Sequence, residues 1–493
     1  MGNHEPTEDQ LSDFGIYVNS LDSILLGHNL DSLLKADTVV WEGDKVVRQR
    51  YADTKSFGDR PMWFSRMGVV PEADSLLLFL RREVVRNGLD TIAFYIPQID
   101  EYLRIVRHLD FDSLGVNIND VLPRLDYLLS KAYVRYSVGL RYGFVKPEQL
   151  FNKLDIKRTG EYARLLDYEV KAPNYKEVLQ NLSIEGVGRM DYLKSSSPSS
   201  HLYEILKEQL GKTTDKEVIH QLAVNMERCR WQMKQPEAND RMVLVNIPSL
   251  QLWAVGGDTI LNMRIVCGAI TSKTPLLHSE IRYMQANPEW LIPKNIVDTE
   301  VAQHGGDSAY FAKHRYYIID RNSGDTLHPA KVSSEQLMSG RLRVGQRGGA
   351  GNALGRIVFR FPNNFDVYLH DTSNPGAFKR ERRMLSHGCV RVQKPFELAC
   401  FLLPDADDWM KDRLRISMDI EPETDRGKNY LEEHEDDPRP LRLFTTQSVF
   451  PHVPVYIIYY TIYPNPETDR LETWPDVYGY DKVISRAGTP FLL

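Results

Sequence analysis

The chain has 493 residues, of which 42% are hydrophobic and 26% charged, with 4 cysteines and a formal net charge of −6. That length implies about three domains of ordinary globular composition, and it excludes a disordered tail protein, a collagen-like repeat and a small disulfide scaffold. No basic excess is present to neutralise a nucleic-acid backbone, so no nucleic-acid partner is expected.

The first fifteen residues, MGNHEPTEDQLSDFG, are polar and acidic and lack the apolar run of a signal peptide. Met1-Gly2 is followed at position six by Pro6, not Ser or Thr, so no myristoyl site is read there. The first third reads helical. Pro71 opens and Gly88 closes a segment containing LLLFLRREVV. Leu122, Leu125, Leu129, Ala132 and Tyr136 recur at three- and four-residue steps, predicting a helix with one apolar face. Helices are also expected at 176–182 and 202–228, with a linker-like break at SSSPSS, 195–200.

The pattern then changes to alternation. In LNMRIVC, 261–267, apolar positions alternate with Asn262 and Arg264, as in a half-buried strand. MVLVNI at 242–247, RIVFRF at 356–361 and DVYLH at 366–370 read as further strands. A composition break near 231–240 separates a mostly helical part, 1–235, from a β-rich part, 236–493. Between about 287 and 345 the chain is polar and broken by Gly and Pro. That is long for a structureless loop, so it is either an excursion with its own structure or a functional lid. The acidic run at 427–440 reads as a solvated loop. VPVYIIYYTIY, 453–463, is too short for a membrane-spanning helix of about 20 residues and reads as a buried strand.

Chemistry concentrates in His370 to Val392, HDTSNPGAFKRERRMLSHGCVRV. Cysteine is a strong nucleophile as its thiolate, and a nearby histidine can take the thiol proton, so Cys389 and His370 form a candidate pair. Gly388 allows close approach to the backbone, and successive N–H groups at such a turn can hold an oxyanion. Arg380, Arg382, Arg383 and Arg391 add positive charge that favours a thiolate and suits a carboxylate. A zinc reading would use His370, His387 and Cys389, but the spacing is not a usual zinc pattern and no CxxC or HExxH occurs. Ser386 lacks the G-x-S-x-G context of a nucleophilic serine. Cys267 and Cys400 read as buried structural residues, and Cys229 as ambiguous.

HDT followed by SHGCVRV resembles the signature of L,D-transpeptidases, the YkuD-type cysteine enzymes that cross-link bacterial peptidoglycan. NMERCRWQ, VNIPSLQLWAV, NPEWLIP, GAGNALGRIVFRFPN and PVYIIYYTIY are similar to conserved blocks of the large, YcbB-like branch. YADTKSFGDRPMWF and LDYLLSKAYVRYSVGLRYGFVKP resemble its helical scaffold. The resemblance implies an α+β fold, with a helical scaffold over 1–235 and a mixed β-sandwich-like catalytic domain over 236–493. Residues 294–345 would form a capping lid. It implies Cys389 as nucleophile, His370 as base, and backbone N–H groups around His387, Gly388 and Cys389 as oxyanion hole. His387 would shape the site, and Arg391 and Asn352 would lie near substrate. A backbone carbonyl would orient His370, and Asp371 would face away. No metal and no cofactor are implied. The partners would be peptidoglycan stem peptides and carbapenem-type inhibitors, in the periplasm, with any signal or anchor removed from this chain. An L,D-carboxypeptidase on the same site and a non-catalytic peptidoglycan-binding envelope protein are the alternatives. Two departures stand out: the small peptidoglycan-binding module of the branch is not seen, and 404–450 is longer and more acidic than the resemblance implies.

Overall fold

The computed structural model describes residues 20–493 apart from 40, 55–58, 66–67, 158–159, 185 and 235–240. The first fifteen residues, which carry the signal and acylation readings, lie outside the described residues, as does most of the expected break at 231–240.

The N-terminal part is helical. Pro71–Arg86 starts with its proline in the first turn, where a missing N–H costs nothing, and ends at Asn87 before Gly88 with φ +70°. The helix Ile118–Tyr142 is buried around most of its circumference, not on one face as its period suggests. Its polar residues explain how. Arg135 reaches both carboxylate oxygens of Asp44 at 2.8 and 2.6 Å, Lys131 reaches Asp37 at 2.8 Å, and Asp126 accepts the Met62 and Trp63 N–H groups at 2.8 and 2.6 Å. A buried charge is tolerated only when paired in this way. The single helix expected over 202–228 is two, His201–Leu210 and Lys216–Arg230. Asp215 caps the second through the Glu217 and Val218 N–H groups.

Eight strands of the C-terminal part close on themselves: β1 Met242–Asn246, β2 Gln251–Gly256, β3 Thr259–Gly268, β4 Leu276–Ala286, β5 Ile357–Arg360, β6 Leu369–His370, β7 Val390–Val392 and β8 Thr446–Ile458. Neighbours run β5-β6-β7-β3-β2-β1-β8-β4, and β4 pairs with β5 to complete the ring. The expected sandwich-like sheet is therefore a closed, mixed barrel. Closure removes the exposed edges an open sheet would present. The apolar stretch at 453–463 lies largely in β8, with Val455, Tyr456 and Ile457 fully buried. Among the described residues no helix is long and apolar enough to cross a membrane.

Helical and β parts share one hydrophobic core. The short strand Leu166–Asp167 pairs with β4, and the last helix, Tyr480–Gly488, returns to the scaffold. Glu227, fully buried, accepts the Phe144 and Val145 N–H groups at 2.6 and 2.8 Å and pairs with Arg230 at 3.0 Å. The chain end is tied down by Asp90 N–H to the Phe491 carbonyl, 2.9 Å, and Leu493 N–H to the Gly88 carbonyl, 3.1 Å.

Between β4 and β5 the polar stretch is a structured excursion. Trp290–Leu291, Tyr316–Asp320, Thr326–Leu327 and Leu342–Gln346 form a separate sheet, with a second core of Ile296, Val301, Phe311, Ile318, Leu337 and Val344. The acidic run read as a loop carries a helix, Asp425–Glu433, whose N-cap Thr424 accepts the Gly427 N–H. Asp412, fully buried on Asp408–Ser417, braces that helix start by accepting from Glu423 N–H at 2.8 Å and Thr424 N–H at 2.9 Å.

Candidate active site

Strands β6 and β7 are parallel, with Leu369 opposite Val390 and His370 opposite Arg391. Parallel neighbours cannot be joined by a hairpin and need a crossover, which the 371–388 segment supplies. Side chains alternate along a strand, so Tyr368 and His370 share a face, as do Cys389 and Arg391. All four line one cleft of about 900 Å³, counting its open mouth. Trp290, Pro293, Asn295 and Ile296 of the excursion and Ala353 and Leu354 of the 349–355 loop complete its walls.

His370 is 4% exposed, and its pKa falls to about 3. Burial is the largest cause, and the Arg391 guanidinium adds to it. The carbonyls of Asp371 and Leu354 act the other way, yet Nδ1 makes no hydrogen bond of good geometry. The expected orienting carbonyl is thus present only as a weak influence. Burial raises the Cys389 thiol, while the Tyr368 main-chain N–H and hydroxyl, then Arg360 and Arg391, favour its thiolate. Both groups therefore rest neutral, as thiol and free imidazole. Both line the cleft, with Cys389 Sγ donating to the Asp366 carbonyl at 3.8 Å, and a neutral imidazole keeps a lone pair able to accept a thiol proton.

The SHGC turn is held by Ser386, within it, and by Thr274. Gly388 has φ +122°, which favours glycine. Its N–H donates to Ser386 Oγ at 3.1 Å, and Ser386 Oγ donates to the Cys389 carbonyl at 2.6 Å. The Gly388 carbonyl accepts from Thr274 Oγ1 at 2.8 Å. The Gly388 N–H is thus engaged within its own turn, not aimed at an oxyanion as expected. His387 is exposed and turns to the excursion, with Nε2 2.7 Å from Glu300 Oε1.

Asn352 is fully buried, and its amide is consumed by the main chain. It donates to the Pro288, Gln346 and Arg347 carbonyls at 3.2, 3.3 and 3.1 Å and accepts the Leu354 N–H at 2.7 Å. It shapes the loop bearing Ala353 and Leu354 and offers no atom to a ligand, contrary to the substrate contact expected of it. Arg391 lines the cleft with a buried Nε that makes no hydrogen bond. Asp371 faces away, accepting the Arg356 N–H at 2.8 Å. Of the arginine run, Arg383 is buried against the carbonyls of Ile265, Leu250 and Arg380, at 3.0, 3.0 and 2.8 Å, and Arg380 and Arg382 are exposed. The cations that act on the thiol are Arg360 and Arg391.

Sequence reasoning missed Tyr368, Arg360, Trp290 and Glu300. Strand alternation two residues before His370 could have found Tyr368. Arg360 stacks over the Tyr368 ring at 4.2 Å, across the antiparallel β5–β6 pair. Cys229 and Cys267 are buried free thiols, raised to about 12 and about 11 chiefly by burial. Cys400, expected buried, is free and half-buried beside a surface cavity. Among the described residues no three His, Cys, Asp or Glu side chains converge as a metal site.

Residues 240–413 match the YkuD L,D-transpeptidase catalytic domain, and residues 46–210 match the Scaffold domain. A Haemophilus influenzae protein named "Putative L,D-transpeptidase" is 30% identical over 328 residues, 65% of this chain. The matched region spans 61% of that relative's length.

Proposed function

We propose, from the premise that this chain belongs to the L,D-transpeptidases by its catalytic and Scaffold domains, that it cross-links peptidoglycan by two-step acyl transfer on Cys389. The observation that carries the reading is the parallel register of β6 and β7, which brings residues nineteen apart in sequence into one cleft.

In the first step Cys389 Sγ attacks the carbonyl of the third residue, meso-diaminopimelate, of a donor tetrapeptide stem. His370 accepts the thiol proton and passes it to the departing D-Ala amine, leaving a thioester. In the second step the side-chain amine of a neighbouring stem's diaminopimelate attacks the thioester. His370 takes its proton and returns it to the leaving thiolate, giving a 3→3 cross-link. Main-chain N–H groups of the SHGC turn beside Gly388 stabilise each oxyanion. The unpaired Arg391 guanidinium suits a stem carboxylate. The 294–345 excursion serves as a lid that keeps water from the thioester. The substrate places the protein in the bacterial periplasm, and carbapenems, as acyl-donor mimics, acylate Cys389.

Incubation with disaccharide-tetrapeptide and analysis of the muropeptides tests this. Release of D-Ala with a cross-linked dimer is expected from the parent and neither from Cys389→Ala. Tripeptide without dimer identifies an L,D-carboxypeptidase, and no D-Ala from the parent removes the enzymatic reading.

A further inference from the structure

Arg391 lines the cleft, and it and Arg360 act on the Cys389 thiol. His387 lines the cleft as well, and Glu300 of the excursion meets it at 2.7 Å. The partners are 47% and 52% exposed, so water reaches both and their mutual attraction is weak. Glu300 sits on a π-helical turn, Val297–Val301, whose Val297 and Val301 are buried in the excursion's core. Such turns are rare and gather at functional sites. The turn anchors the backbone while leaving the carboxylate exposed beside His387, a lining residue of the cleft. Two other acidic residues stand near the site: Asp371 is buried and spent on the Arg356 N–H, and Asp366 lines the cleft beside Cys389, whose Sγ donates to its carbonyl at 3.8 Å.

Resting on the transpeptidase reading above, we propose that Glu300, with His387, is the acceptor-amine site, the group that receives a cationic primary amine and presents it to the thioester. The second half-reaction has a requirement that the first lacks. Its nucleophile arrives as an ammonium and must lose a proton before it can attack. A carboxylate beside His387 recognises that ammonium by a charge-assisted hydrogen bond. His370 does not fill this role, because it is buried beside the cation Arg391. The ammonium displaces His387 from Glu300 and gives one proton to the carboxylate, which releases it to solvent. The neutral amine attacks the thioester carbonyl; the C–N bond forms and the C–S bond breaks. The second proton passes to His370 and from there to Cys389 Sγ. The step consumes thioester and ammonium and yields amide, thiol and one proton.

A plain structural clasp between excursion and turn would affect both half-reactions alike. The site proposed here separates them. The test compares parent, Glu300→Gln and Glu300→Asp with disaccharide-tetrapeptide as donor and acceptor, following cross-linked dimer, hydrolysed tripeptide and the rate of Cys389 acylation by a carbapenem. In Glu300→Gln the dimer-to-tripeptide ratio is expected to fall by about tenfold, the effect of one charge-assisted bond, with carbapenem acylation within about twofold of the parent. Glu300→Asp recovers part of the ratio. An unchanged ratio, or acylation falling in step with it, overturns the proposal while leaving the transpeptidase reading intact. No D-Ala release from the parent overturns both.

Discussion

His370 and Arg391 face each other across the parallel β6–β7 pair, and burial, with the guanidinium adding to it, holds the imidazole at about pKa 3. The usual histidine value is about 6.5. Above that value the ring is neutral in both folded and unfolded chains. As pH falls from about 6.5 toward 3 the unfolded chain takes up a proton that the native state refuses, so this residue costs stability on acidification. His370→Gln lacks the penalty. Its unfolding free energy should therefore fall less steeply over that window, by an amount on the order of a few kcal/mol by pH 3. Urea unfolding at stepped pH measures the difference, and parallel acid profiles would contradict it. In Arg391→Gln the ring's NMR titration should move upward yet stay below the usual range, because burial remains.

Tyr368 lines the cleft with Cys389, and its main-chain N–H and hydroxyl favour the thiolate. Removing the hydroxyl in Tyr368→Phe withdraws one stabilising partner from the thiolate and raises the thiol's pKa further. Iodoacetamide alkylation of Cys389, followed by peptide mass, should slow at neutral pH and shift its pH–rate curve to higher pH. An unchanged curve would remove Tyr368 from the site's electrostatics. Cys229 and Cys267 are buried and serve as internal unreactive controls.

Asn352 satisfies three carbonyls and one N–H without exposing an atom. Asn352→Ala leaves those buried groups unpaired, at about 1–3 kcal/mol for each one that water cannot reach. The thermal midpoint should drop by several degrees. A variant as stable as the parent but defective in substrate affinity would restore the substrate contact that the burial argues against.

Glu227 joins the Phe144–Val145 turn to the helix Lys216–Arg230 with no solvent access. Glu227→Ala takes the anion from buried Arg230, which keeps the Asn87 carbonyl and Tyr203 hydroxyl, and leaves two main-chain N–H groups and the Trp231 indole N–H without their acceptor, at a cost of about 3–5 kcal/mol. Chemical unfolding should show the loss at an early midpoint. A shift under about 1 kcal/mol would mean that water replaces the carboxylate.

Much of this molecule is legible from local pattern. The proline start and glycine stop of Pro71–Arg86, the alternation in β3 and the β-branched run of β8 are properties of neighbouring residues, so chain order alone exposes them. Local pattern fails where a long-range partner decides. The period of Ile118–Tyr142 marks one apolar face, but Asp44 and Asp37, far away in sequence, pair with its polar side and bury it. The acidic run at 427–440 looks solvated until Asp412, from another helix, braces the start of Asp425–Glu433.

The candidate site divides in the same way. Sequence by itself singled out Cys389 and His370 as the proposed nucleophile and base, because they sit in a short motif whose residue types carry their own chemistry. It also determined that Asp371 faces away, since adjacent residues on a strand point apart. Only the tertiary structure decided what surrounds them. Register sets Arg391 beside His370, the antiparallel β5–β6 pair sets Arg360 over Tyr368, and a distant excursion delivers Glu300 to His387. Burial and through-space charge depend on the three-dimensional neighbourhood. They govern which groups are neutral, which amide is spent and which cation stands free, and no spacing in the chain encodes them.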